Sequence, residues 1–98
     1  MGAFESQADI SALIRKLKAD VTALVKGGAA LPANGNSLQV KLDAALSAMM
    51  SGDNATAIDR LQDFLNQVRA FVKTGRLTPA QGAMLSSTAK AAISQLGG

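Results

Sequence analysis

Four stretches of this sequence repeat apolar residues at the three- and four-residue spacing of one helical face, and glycine follows each stretch. The spacing predicts four helices, near residues 8–26, 37–51, 54–74 and 79–96. Alanine, which enters a helix at the lowest cost, fills 19 of the 98 positions, whereas aromatic residues make up only 3%. The pattern therefore predicts an all-α fold, a four-helix antiparallel bundle made of two stacked helical hairpins.

Local signals predict where the helices begin. Asp53 is expected to cap the third helix, and Thr78 the fourth, where Pro79 and Gln81 complete a capping-box pattern. Pro32 and the turn signal that follows it indicate that residues 29–36 form the longest loop. The second helix is therefore expected to start from Asn36 or Ser37 as its cap.

A chain of 98 residues has room for one hydrophobic core. We expect a single helical domain over residues 8–98, with residues 1–7 as an N-terminal linker or as vector-derived residues. No long repeat is recognised, and the broad apolar stripe of the third helix predicts that this helix is central.

The apolar stripes also predict the core. The residues expected to be buried are Leu42, Ile58, Leu61, Leu65, Val68, Leu85, Ala89 and Ile93. Phe64, Phe71, Leu61 and Leu65 are expected to contribute most, at roughly 1.5–3 kcal/mol each.

The missing residue types exclude much active-site chemistry. The chain has no Cys, His, Trp or Tyr, which excludes disulfides, thiolate or imidazole metal ligands, and Ser-His or Cys-His nucleophiles. Asp59 and Asp63 share a helical face, but a metal site needs further oxygen ligands, for which only Asp53 and Asn54 are candidates, so we interpret this face as solvated. We expect no catalytic residue, no cofactor and no metal site.

The net charge of +3 and the pI near 9.7 predict a weak attraction to anions. With so few aromatic residues to stack on bases, nucleic-acid binding is not expected. The apolar runs are shorter than the roughly 18–20 residues of a membrane helix, so membrane insertion is not expected either.

A specific residue pattern runs through the second and third predicted helices. It consists of Asn36-Ser37-Leu38, Lys41-Leu42, Ala45, Gly52-Asp53, Ala57-Ile58, Leu61, Phe64-Leu65, Asn66, Val68 and Ala70. In this pattern and in the rest of residues 37–96, the sequence closely resembles the FIMAH domain, a small all-helical module found mostly near the C-terminal ends of large exported bacterial proteins.

The resemblance implies an accessory, non-catalytic role beside a catalytic or adhesive domain, in an extracellular or cell-surface location. It implies no ligand. Two positions depart from the family pattern. Gly82 replaces a more usual helix former, which weakens the start of the fourth helix. Phe71 stands where the family is often polar, so it forms either an extra apolar contact or an exposed patch.

Lys41 and Asn66 are polar although they belong to the family-like pattern. In a structural interpretation, Lys41 lies over the seam between helices two and three, and Asn66 bonds the loop before helix two. In a functional interpretation, Lys41, Asn66, Gln67 and Phe71 form a shallow interaction surface.

The leading hypothesis is a non-catalytic interaction or spacer domain of an exported bacterial multidomain protein, with a neighbouring domain or a partner protein as its target. A cell-wall glycan is a weaker alternative, because no Trp or Tyr is present to stack on a sugar. The competing hypothesis is a free-standing, repeat-like helical adaptor for peptides, because the hairpin from Leu42 to Val68 is similar to one tetratricopeptide unit.

Overall fold

The structure is a computed structural model that describes residues 3–28 and 32–97. In these two ranges it contains the helices α1 (Ala3–Lys26), α2 (Pro32–Met50), α3 (Asn54–Lys73) and α4 (Pro79–Leu96). The same ranges contain no strand, and the all-α four-helix fold is confirmed.

The helices pack as a ring in which each helix contacts two others. α1 packs against α2 and α4, and α3 packs against the same two helices from the other side. α1 and α3 therefore lie diagonally across a bundle that measures 41 × 21 × 19 Å. The expectation that the third helix is central is wrong. Its broad apolar stripe faces two neighbouring helices, and every other helix of the ring also has two neighbours.

Two helices begin earlier than their periodicity predicts. α1 begins at Ala3 rather than at residue 8, although the assignment of residues 1–7 to a linker stays a prediction. α2 begins at Pro32, so residues 34–36 lie in its first turns, and the expectation that Asn36 or Ser37 caps it is wrong. Pro32 occupies the first helical position, where its missing N–H costs nothing. Residues 29–31 of the expected loop lie outside the described residues.

The predicted caps of α3 and α4 are confirmed. Asp53 Oδ1 accepts a hydrogen bond from the Thr56 N–H, with an N···O distance of 3.1 Å. Thr78 Oγ1 accepts a bond from the Gln81 N–H at 3.1 Å, and Gln81 Oε1 accepts one from the Thr78 N–H at 2.9 Å. The reciprocal pair satisfies two backbone donors that the start of a helix leaves open.

The core follows the predicted stripes with one exception. Ile58 is half-buried, and the other seven predicted core residues are buried. Phe71 is only 7% exposed, so it makes the extra apolar contact, and the alternative of an exposed patch is wrong. The largest fully buried side chains are Phe64, Ile14, Leu17, Leu38, Leu42, Leu61, Leu85, Val21 and Val68.

The hairpin of α3 and α4 repeats the hairpin of α1 and α2 at a constant spacing of 47 residues, from Gly35 to Gly82 for example. The expectation of no long repeat is therefore wrong. The matching buried pairs are Ile10 with Ala57, Ile14 with Leu61, Leu17 with Phe64, Val21 with Val68, Leu38 with Leu85, Leu42 with Ala89, Ala45 with Ala92 and Met49 with Leu96.

The backbone at the ends of α1 and α3 repeats as well. Gly28 and Gly75 occupy matching positions with φ values of 79° and 81°. Each donates its N–H to the carbonyl of a matching valine, Val25 or Val72, at 3.1 Å. A left-handed residue is a common helix stop that only glycine adopts without strain, so both hairpins turn by the same local device.

Gly35 and Gly82 allow the two helices of each hairpin to approach closely. A Cβ atom at Gly35 would overlap Cγ2 of Val25 in α1, and a Cβ atom at Gly82 would overlap Cγ2 of Val72 in α3. Both glycines are buried. The glycine that departs from the family pattern thus sets the separation of α3 and α4.

We expect Gly82→Ala to destabilise the fold. The change usually stabilises a helix by about 0.5–1 kcal/mol, but overpacking a core costs about 1–3 kcal/mol, and a β-branched valine has little rotamer freedom with which to yield. The net loss should be about 1 kcal/mol, measured by urea unfolding.

The double variant Gly82→Ala, Val72→Ala serves as the control, because it removes the overlapping methyl group. It should lose less stability than the two single variants added together. A single Gly82→Ala variant as stable as the wild type would contradict a fixed approach of α3 and α4.

Truncation of the fully buried Leu61 to Ala should cost about 2–5 kcal/mol, because it leaves a cavity in the core. Val40→Ala is the matched control: Val40 is 57% exposed, and its truncation should change stability by no more than about 0.5 kcal/mol. Thermal or urea unfolding measures both, and similar small losses would place Leu61 outside the core.

Candidate functional site

Two adjoining depressions follow the seam between α3 and α4. The first, about 290 Å³, is lined by Gln62, Leu65, Asn66, Arg69 and Ile93. The second, about 340 Å³, is lined by Val68, Arg69, Val72, Lys73, Pro79, Gly82, Ala83 and Ser86. Because Arg69 lines both, they form one surface, which we call the α3–α4 groove.

The local sequence explains why the second depression is open and apolar. Gly82 lines the depression on α4 without contributing a side chain, and Val72 forms the facing wall on α3. Pro79 and Ala83 continue the apolar lining on α4. The same close contact that holds the hairpin together therefore leaves a shallow slot with space for a small aliphatic side chain.

The groove lies in the basic part of the chain. Asp63 is the last acidic residue of the sequence, and the basic residues after it are Arg69, Lys73, Arg76 and Lys90. The first 53 residues contain equal numbers of acidic and basic residues, so the net charge of +3 arises entirely in the second hairpin. A basic region of this kind attracts carboxylates and other anions.

The basic side chains of the groove are exposed at its edge. In the described part of the chain, the ion pairs are Lys16 with Asp20, Lys18 with Asp43, and Arg60 with Asp63, and none of them includes Arg69 or Lys73. Arg69 and Lys73 are both exposed and both line the apolar depression. Their positions suit them to bind an anionic group of a ligand whose apolar part fills the slot.

The structure separates the four residues of the predicted interaction surface. Asn66 lies in the α3–α4 groove, and it is exposed. Asn66 was expected to bond the loop before helix two, but it makes no side-chain hydrogen bond to residues 32–36, the described part of that loop. The neighbouring Gln67 bonds α2 instead, since its Oε1 accepts a hydrogen bond from Ser37 Oγ at 3.1 Å. Lys41 is half-buried on α2, and Phe71 belongs to the core.

Arg69, Lys73 and Gly82 are groove residues that the sequence analysis did not single out for binding. Two signals could have found them. One is the absence of any acidic residue after Asp63, and the other is Gly82 itself, a glycine inside a predicted helix that departs from the family pattern.

Other kinds of site receive no support from the described residues. Within residues 3–28 and 32–97, no three acidic, His or Cys side chains are grouped closely enough to bind a metal ion. Asp63 pairs with Arg60 at 3.3 Å, and Asp53 is a helix cap. In the same ranges, no helix combines the length and the apolar character of a membrane span.

Comparison with known proteins gives one finding on the family. A family model described as the FIMAH domain matches residues 8–94. No curated protein and no solved structure matches the chain. The matched range includes all of α2 and α3, most of α1 and α4, and therefore the whole α3–α4 groove.

The cap of α3 should respond to pH. Hydrogen bonds from the Thr56 hydroxyl and N–H hold the pKa of Asp53 below its ordinary value of 3.8. Because the folded state has the lower pKa, the ionised carboxylate stabilises the fold above that value, and this contribution is lost as the pH falls through the lowered pKa. In Asp53→Asn, the amide still caps the helix but does not titrate.

Urea unfolding of both proteins near neutral pH and near about pH 2 tests this. The wild type should lose more stability on acidification than Asp53→Asn. An equal loss in the two proteins would mean that the Thr56 bonds do not favour the ionised form of Asp53.

Proposed function

Because the chain belongs to the FIMAH domain family, a family of small accessory domains, we propose that it is a non-catalytic interaction domain that binds an acidic, aliphatic peptide segment in its α3–α4 groove. The segment belongs to a neighbouring domain of the same protein or to a partner protein. We also propose that the domain is part of a larger exported bacterial protein, in an extracellular or cell-surface location, as the resemblance implies.

One observation carries this proposal: a slot with an apolar floor is edged by basic side chains and contains no carboxylate. An aliphatic side chain buried against Val72, Pro79 and Ala83 gains from the hydrophobic effect. A carboxylate beside it on the same peptide can accept charge-assisted hydrogen bonds from Arg69 or Lys73, which are about twice as strong as neutral ones. Both features together select a peptide that is aliphatic and acidic.

The chemistry of the groove favours binding over turnover. Its polar side chains are two amides, one hydroxyl, a guanidinium and an amine, and the chain has no His or Cys. The groove therefore lacks histidine, the side chain that most often acts as a general acid or base. We therefore expect the domain to contribute affinity or positioning to a larger protein rather than a reaction.

The alternative ligands make different demands on the groove. An anionic cell-wall polymer would engage Arg69 and Lys73 but would have no use for the apolar floor. The adaptor hypothesis relies on the hairpin of α2 and α3, whereas the repeating unit of this fold is the hairpin of α1 with α2 and of α3 with α4. The peptide proposal uses the floor and the charged edge together.

Titration of the chain with a short synthetic peptide of leucine and glutamate, followed by NMR, tests the proposal. The amides of Gly82 and Asn66 should shift, and the same peptide with glutamine in place of glutamate should bind about tenfold more weakly or worse, because a hydrogen bond to a charged group contributes about 1.5–3 kcal/mol. Equal binding of the two peptides would contradict the role of the basic edge.

Charge-reversal variants locate the site. Arg69→Glu and Lys73→Glu should each weaken binding of the acidic peptide by about tenfold or more. Lys41→Glu changes the net charge by the same amount on α2, outside the groove, and should leave binding nearly unchanged. If Lys41→Glu is the variant that loses binding, the interaction surface lies on α2 and the proposed groove is wrong.

A further inference from the structure

A second groove lies between α1 and α2, at the position that corresponds to the α3–α4 groove. It has a volume of about 280 Å³ and is lined by Thr22, Val25, Lys26, Gly35, Asn36 and Gln39. Each of these residues precedes by 47 positions a residue that lines the α3–α4 groove. We call this surface the α1–α2 groove.

The two grooves share three chemical elements. Gly35, like Gly82, lines its groove without contributing a side chain. Val25 forms the wall that Val72 forms in the other groove, and Lys26 stands where Lys73 stands. Each groove therefore offers a slot for an aliphatic side chain with an exposed ammonium group at its edge.

The grooves differ in their remaining charges. The position of Arg69 is taken by Thr22, whose hydroxyl accepts a hydrogen bond from Gln39 Nε2 at 2.8 Å. Beyond the residues that line the grooves, Asp43 occupies the position that corresponds to Lys90, and it pairs with Lys18. The α1–α2 groove thus has one basic side chain at its edge and is otherwise neutral.

We propose that the α1–α2 groove is a second binding site for the same class of ligand, a peptide segment with an aliphatic side chain beside a carboxylate, and that it binds this ligand more weakly than the α3–α4 groove does. The inference rests on the proposed function of the α3–α4 groove. The loss of the Arg69 contact sets the difference in affinity, which we expect to be about tenfold.

The position of the two grooves makes the domain bivalent. In the ring of helices, the pair of α1 with α2 lies opposite the pair of α3 with α4, across a bundle 21 × 19 Å in section. A short peptide in one groove therefore leaves the other free. A partner with two acidic, aliphatic segments on a linker long enough to pass around the bundle would gain avidity from both.

The test is an NMR titration of the whole chain with the leucine and glutamate peptide, observing the amides of Gly35 and Gly82 separately. Both should shift, and the apparent Kd read from Gly35 should be about tenfold higher than that read from Gly82. Lys26→Glu should abolish the shift of Gly35 and leave that of Gly82 intact.

A pair of exchange variants tests the assigned cause. Thr22→Arg places an arginine in the α1–α2 groove, and it should lower the Kd at Gly35 towards the value at Gly82. Arg69→Thr makes the reverse change and should raise the Kd at Gly82 by about tenfold. Both positions are exposed, so both variants are expected to fold.

The outcomes separate the two proposals. If Gly82 shifts but Gly35 does not, in the wild type and in Thr22→Arg alike, the α1–α2 groove is not a site, and the proposed function stands. If neither glycine shifts, the proposed function fails and this inference fails with it. Equal affinities that do not respond to the exchange would overturn the role assigned to Arg69.

Discussion

The contact of a helical glycine with a valine of the preceding helix determines how each half of this bundle is built. With few aromatic side chains to fill space, the helices gain dispersion energy only if their backbones come close. Gly35 and Gly82 permit this approach to Val25 and Val72. A side chain at either glycine would force the helices apart and would fill the slot beside them, so packing and the candidate binding surface depend on the same contact.

The repeat explains why the contact occurs twice. Matching left-handed glycines end α1 and α3, and matching prolines begin α2 and α4, so each hairpin reaches its glycine after the same number of residues. The matched buried positions then place both hairpins against a common core. The fold is accordingly two copies of one supersecondary unit, each of which buries its apolar face against the other.

Periodicity in the sequence was sufficient to predict the helices and most of the core, because the 3.6-residue repeat depends on neighbours along the chain. Periodicity did not predict the start of α2. The residues around Gly35 favour a turn locally, but they are helical in the structure, where Gly35 packs against Val25 of α1. Asn66 and Gln67 show the same limit for the site. One residue is a rotation of about 100° on a helix, so Gln67 bonds to α2 whereas Asn66 lies in the α3–α4 groove.

The two hairpins have the same backbone arrangement but different net charges. This difference distinguishes the residues that helix packing requires from the exposed residues that it does not. Valine, glycine and proline recur because the backbone geometry requires them. The backbone geometry does not require Arg69. The corresponding residue of the first hairpin is Thr22, a neutral residue that accepts a hydrogen bond from Gln39. Arg69 is an exposed charge beside an apolar slot, and the packing of the helices does not require it. Its charge acts on a ligand that enters the slot, and for this reason we assign the stronger binding to the second hairpin.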